Sequence, residues 1–146
     1  MDECRALGGC RPGDAKVTGA GKLKAQYIVH AVGPVWQGGD HGEPVLLASC
    51  YNRALELADE HGCRRIALPS ISTGAYGFPH ERAAGIAVAS TIAAMRAHPR
   101  VIEARFWLYN DLALALYIRT LDDRCPRDAV EAGETSGDPN WRWRPS

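Results

Sequence analysis

The sequence predicts an α/β fold: a three-layer α/β/α sandwich with a mostly parallel or mixed sheet covered by helices on both faces. Two observations carry this. Short apolar, β-branched runs alternate along the chain with longer segments whose apolar residues recur every three or four positions. Glycine or proline then punctuates the boundaries, at Gly8-Gly9, Gly33-Pro34, Gly62 and His98-Pro99.

Taken in order, residues 2–9 read as the last turns of a helix, stopped by the glycine pair. Residues 15–18 form a short strand, and Gly19-Ala20-Gly21 a turn. Residues 27–32 form the next strand, and a glycine-rich loop at 37–42 follows. Leu47, Cys50, Tyr51, Ala54, Leu57 and Ala58 share one helical face, which Gly62 ends. Residues 65–69 read as a buried-type strand. Pro79 opens a second long helix, with Ala84, Ala87, Val88, Thr91, Ile92 and Met95 on one face. Residues 101–109 read as a strand. Asn110-Asp111 caps a third helix, apolar at Leu112, Leu116, Ile118 and Leu121. The expected division is one domain over 1–121 and a polar, weakly ordered tail over 122–146. No internal repeat is visible.

Composition excludes several classes. The 146 residues hold 17 Lys plus Arg and 17 Asp plus Glu, so the chain lacks the basic excess of a dedicated nucleic-acid binder. The five cysteines form no C-x-x-C pair, and no Cys/His cluster has ligand spacing. Neither a metal nor another cofactor is expected. The N-terminal residues show no signal-peptide pattern and no run spans a bilayer. The expectation is a cytoplasmic chain with reduced cysteines and no membrane partner.

The most informative stretch is residues 66–79, Ile-Ala-Leu-Pro-Ser-Ile-Ser-Thr-Gly-Ala-Tyr-Gly-Phe-Pro. A strand runs into small residues and glycines, then into a proline that opens a helix. Such a loop can turn several backbone N–H groups toward one point beside a helix N-terminus, which suits a phosphate. It has no lysine and no nucleoside-triphosphate P-loop pattern. An ordinary strand-to-helix connection that binds nothing is the competing account. Ligands of open α/β sheets sit beyond the carboxyl ends of strands, so Tyr109-Asn110 can share this cleft.

Other single residues carry less. His30 reads as a structural histidine within a strand, and His80 as solvent-exposed. Trp36 either edges the cleft or packs. Gly19-Ala20-Gly21 is only a fragment of a dinucleotide fingerprint. Trp141-Arg142-Trp143-Arg144 alternates aromatic and basic residues, but four residues are a weak sign of a nucleic-acid or membrane contact.

Three blocks in order resemble one family. They are Gly13-Asp14-Ala15-Lys16-Val17-Thr18, then Tyr27-Ile28-Val29-His30-Ala31-Val32-Gly33-Pro34, then Pro69 through Pro79. From about residue 2 to about residue 121 the chain resembles the macrodomain family. The similarity is to its branch that hydrolyses O-acetyl-ADP-ribose and ADP-ribosyl-protein esters. The resemblance implies that Ser72, Thr73, Gly74, Ala75, Tyr76 and Gly77 wrap the ADP-ribose diphosphate, with the Tyr76 ring against the distal ribose. It implies that Tyr109 and Asn110 lie near the adenosine half, and that the partner is ADP-ribose or an ADP-ribosylated protein.

One departure matters. In the resemblance, two strands, an Asn-Ala-Ala-Asn block and a Gly-rich loop containing Asp precede the point where this sequence starts. The adenine-recognising Asp and the Asn and Asp that position water and substrate have no counterpart here. Asp14 reads as a turn residue. The macrodomain-like fold is therefore expected to be N-terminally truncated and short of a central strand. Three accounts stand open: a start at an internal methionine, a short form completed by another chain, and a degenerate remnant. The expected function is binding of ADP-ribose or a derivative with little hydrolysis. The alternatives are a non-catalytic reader and a ligand-free, self-associating remnant. Open sheet edges predict a homo-oligomer.

Overall fold

A computed structural model describes residues 6–125. Residues 2–5 of the helix end expected over 2–9, the tail beyond 125 and the Trp-Arg alternation at 141–144 lie outside the described residues. The elements run β1 (Ala15–Gly19), β2 (Tyr27–Ala31), α1 (Glu43–Glu60), β3 (Arg65–Leu68), α2 (His80–Ala97), β4 (Glu103–Phe106) and α3 (Asp111–Arg124). This is the α/β alternation that the sequence predicts. Among the described residues no helix is long and apolar enough to cross a membrane.

The sheet is in two parts. β1 and β2 form an antiparallel hairpin with Ala15 opposite Ala31 and Gly19 opposite Tyr27. β3 and β4 run parallel, Arg65 beside Glu103 and Leu68 beside Phe106. Among the described residues no ladder joins β2 to β3. The expectation of a buried strand at 65–69 is corrected accordingly. Arg65 and Ala67 are exposed and Ile66 is half-buried, because β3 has a neighbour on one side only.

β4 is also shorter than the predicted 101–109. The Ile102 and Glu103 N–H groups both donate to the Arg64 carbonyl, and Trp107 N–H donates to Leu68 O. Beyond Leu68 the partner strand reaches Pro69, which has no N–H to offer, so the ladder stops. At the other end, Val101 N–H turns back to His98 O. α3 in turn reaches three residues past the predicted boundary at 121. Cys125 N–H closes its last turn on Leu121 O at 2.8 Å, and Cys125 is itself buried.

One core cluster ties the helices to the strands. Leu47, Tyr51 and Ala54 of α1 meet Ala83, Ala84, Ala87 and Val88 of α2, together with Leu68, Phe78 and Tyr117. Alanines on the facing sides let α1 and α2 approach closely, while Leu47 and Tyr51 fill the remaining space. Full burial of a side chain such as Leu47 contributes about 1.5–3 kcal/mol. Cys50 is packed in this face, as its periodicity predicts, with its thiol donating to Val32 O at 3.2 Å. Burial pushes that thiol up to about 11. His30 is structural: its Nε2 lies 2.8 Å from Thr18 Oγ1 across the hairpin.

Candidate functional site

The loop between β3 and α2 stands on a buried polar scaffold. Tyr51, from α1, reaches under it. Its hydroxyl donates to Pro69 O at 2.9 Å and accepts from Ile71 N–H at 3.0 Å. Tyr117, from α3, donates to Ser70 Oγ at 3.1 Å, and Thr73 Oγ1 donates to Ser70 at its carbonyl or its Oγ. Burial raises both phenols above the ordinary tyrosine range, so each remains a proton donor. Residues 69–73 are thereby fixed from two helices at once.

The loop then closes on itself. Phe78 N–H donates to Ser72 O, and Gly77 N–H to Gly74 O, both at 3.0 Å. Ser72 has φ 65° and Gly77 φ 66°. The left-handed backbone is natural for Gly77 and unusual for a serine, so Ser72 carries local strain. Its hydroxyl is buried without a hydrogen-bond partner among the described residues. It also presses on Gly33: a Cβ at that glycine would lie 2.1 Å from Ser72 Oγ.

A second loop buttresses the first. Trp36 N–H donates to Tyr76 O at 2.9 Å, and the Trp36 ring packs on Phe78 with centroids 4.7 Å apart. The Arg82 guanidinium sits 5.0 Å above the same ring. Of the two accounts of Trp36, packing is the one seen. The glycine-rich loop beyond it is pinned by Glu43, which is only 2% exposed. Its carboxylate accepts from the N–H groups of Gln37, Gly39 and His41 at 2.8–3.0 Å. Burial acts to raise this carboxyl, but those N–H groups and its own outweigh it and hold it at about 2.

What is left free defines the chemistry. Among the described residues, the N–H groups of Thr73, Gly74, Ala75 and Tyr76 make no hydrogen bond. Residues 74–77 are exposed. α2 begins directly after, with no side-chain cap on its N-terminus. Four consecutive uncommitted donors beside an uncapped helix start make a surface for an oxyanion. His80 is exposed, as expected. Among the described residues no group of three or more His, Cys, Asp or Glu could hold a metal ion.

The structure thus brings Ser72, Thr73, Gly74, Ala75, Tyr76 and Gly77 into one loop. Tyr109 and Asn110 follow β4, which runs parallel beside β3 with Phe106 opposite Leu68, so both segments leave the same end of that strand pair. Tyr109 is fully exposed. Asn110 spends its side-chain oxygen on capping α3, accepting from Ala113 N–H at 2.9 Å. Sequence reasoning did not reach Tyr51, Tyr117, Gly33 or Glu43. Tyr51 was visible only as part of an apolar helical face; a hydroxyl on such a face, which must find a buried partner, was the available signal.

The Macro domain family model matches residues 1–87. A Macro domain-containing protein of Chlorobaculum tepidum is 52% identical over 122 residues, covering 83% of this chain and 70% of that protein. An O-acetyl-ADP-ribose deacetylase of Cronobacter sakazakii is 43% identical over 114 residues. That match takes in 78% of this chain and 63% of the deacetylase, so the chain spans less than two thirds of it. Among solved structures, a mutant Oceanobacillus iheyensis macrodomain with ADPR superposes with a TM-score of 0.77 at 31% identity. It covers 85% of this chain and 67% of that one.

Proposed function

The chain belongs to the Macro domain family, and on that premise we propose that it binds ADP-ribose or a close derivative through the loop at 70–78. One observation carries the reading: the four uncommitted N–H groups from Thr73 to Tyr76 at the uncapped start of α2. They suit the paired oxyanions of a diphosphate, and the exposed Tyr76 ring suits the distal ribose. Tyr109 is assigned to the adenosine side as an open aromatic surface. Asn110 can add only its amide N–H2 there, because its oxygen is engaged. Support for the ligand comes from the macrodomain structure with ADPR.

Two relatives are named O-acetyl-ADP-ribose deacetylases, which points the ligand toward ADP-ribose and its esters. Titration calorimetry with ADP-ribose, ADP and adenosine tests the reading. ADP-ribose and ADP should bind clearly more tightly than adenosine. Equal affinity for adenosine would remove the diphosphate loop from the account. Absence of all binding would favour the ligand-free remnant.

A further inference from the structure

We propose that Arg82 selects the group joined to the distal ribose: an acceptor peptide with a further carboxylate beside its point of attachment. The proposal rests on the ADP-ribose reading and names the class of molecule on which ADP-ribose arrives.

The first turn of α2 sends its two formally charged side chains to different neighbours. Glu81 pairs with Arg119 of α3 at 2.6 Å. Arg82 turns to the loop that follows β2, where its guanidinium lies 5.0 Å from the centre of the Trp36 ring. α3 begins directly after Tyr109-Asn110, so the Glu81 side is the side assigned to adenosine. Trp36 N–H donates to Tyr76 O at 2.9 Å, so the Arg82 side is the side assigned to the distal ribose.

By local rules this cation is misplaced. The first turn of a helix carries partial positive charge and disfavours arginine. Among the described residues Arg82 makes no hydrogen bond and no ion pair that would offset this. The nearby acids are engaged elsewhere, Glu81 on Arg119 and Glu43 on three backbone N–H groups. Asp40, exposed on the same loop, makes no ion pair with it. The stack is nevertheless built. Gly39 has φ 96°, and a Cβ there would lie 2.8 Å from the Trp36 ring and 3.0 Å from Arg82 Nη1. Gly39 N–H is itself fixed by Glu43 at 3.0 Å. Trp36, Gly39 and Glu43 together hold the guanidinium beside the ring, exposed and with its donors open. A side chain that breaks a local rule, yet is held in place by its surroundings, marks a functional position.

The chemistry of the fork selects the partner. A planar guanidinium matches a carboxylate with two parallel hydrogen bonds. Arg82 is the only lysine or arginine in the loops at 34–42 and 69–79 and in the first two turns of α2. One cation suits one carboxylate of a peptide. A nucleic-acid strand would call for a row of cations along its phosphates.

The test uses the 146-residue protein, ADP-ribose, and two short peptides that carry ADP-ribose through a stable amide. One peptide has glutamate on either side of the attachment and the other has glutamine. Calorimetry at low salt should show the glutamate peptide binding about three- to fivefold more tightly. Arg82→Gln should bring that ratio to one while ADP-ribose itself binds as before. Arg82→Glu should reverse it, and Arg82→Lys should keep only part of it. Each protein is compared with itself, so a general loss of affinity cancels in the ratio. Equal binding of both peptides by the parent protein, or a ratio that Arg82→Gln leaves unchanged, would overturn the proposal alone. Tighter binding of ADP-ribose joined to the terminal phosphate of an oligonucleotide would assign Arg82 to phosphate and overturn it too. If nothing containing ADP-ribose binds, the diphosphate reading fails and this proposal fails with it.

Discussion

Gly74 and Gly33 bear on the same loop in opposite ways. A Cβ at Gly74 meets nothing within 4 Å, and its φ is not in the left-handed region. Gly74→Val should therefore fold normally while filling the space in front of the N–H row. We expect an unchanged unfolding transition and ADP-ribose binding at least about tenfold weaker by calorimetry. Parent-like binding would show that the ligand does not use this loop. A Cβ at Gly33 would instead collide with Ser72 Oγ at 2.1 Å and Ile71 Cγ2 at 2.5 Å. That glycine is required because the strained Ser72 is seated against it. Tyr51 is the third sensitive residue. Tyr51→Phe keeps the ring packing but strips the hydroxyl from Pro69 O and Ile71 N–H. The expected cost is about 1–3 kcal/mol, measured by urea unfolding. A change near zero would mean that water reaches both groups.

At the scale of elements, the loop before α1 is held by a side chain that titrates and the start of α3 by one that does not. Glu43 is held below its ordinary value, so the stability it gives to the 37–41 loop is fully present above pH 4.5. It is lost as the pH falls toward about 2. The amide resonances of Gln37, Gly39 and His41 should titrate together in that window, and Glu43→Gln should abolish the shared transition. Independent titration of the three amides would contradict a common carboxylate. Asn110 holds α3 without any such pH dependence, through an uncharged amide oxygen. Asn110→Ala should cost about 1 kcal/mol in unfolding free energy. A loss of ADP-ribose affinity without that cost would identify Asn110 as a ligand contact instead of a cap.

At the scale of the molecule, the open edges of β2 and β3 and a set of exposed large side chains act together. Trp107 is 66% exposed, and Tyr27 and Ile102 border the same cleft. Unpaired edges beside apolar surface recruit further chain. We expect self-association at tens of micromolar by light scattering. A stable monomer would show that these edges are protected some other way.

The sequence by itself determined the order of elements, the apolar faces of the helices, the Asn110 cap and the place of the glycine loop. Each of these is written in short-range terms: a period of 3.6 or 2, a cap before a helix, a glycine where the backbone turns. Only the tertiary structure decided the rest. Pairing of Arg65–Leu68 on one side alone left Arg65 and Ala67 exposed, although the composition of this stretch reads as buried. The strand over 101–109 shrank to Glu103–Phe106 because its partner strand runs into Pro69, more than thirty positions earlier. Tyr51 and Tyr117 became the scaffold of the loop because two distant helices converge beneath it. The physical reason is common to all three. Burial and hydrogen-bond satisfaction depend on which segments meet in space, and local pattern carries no record of the partner.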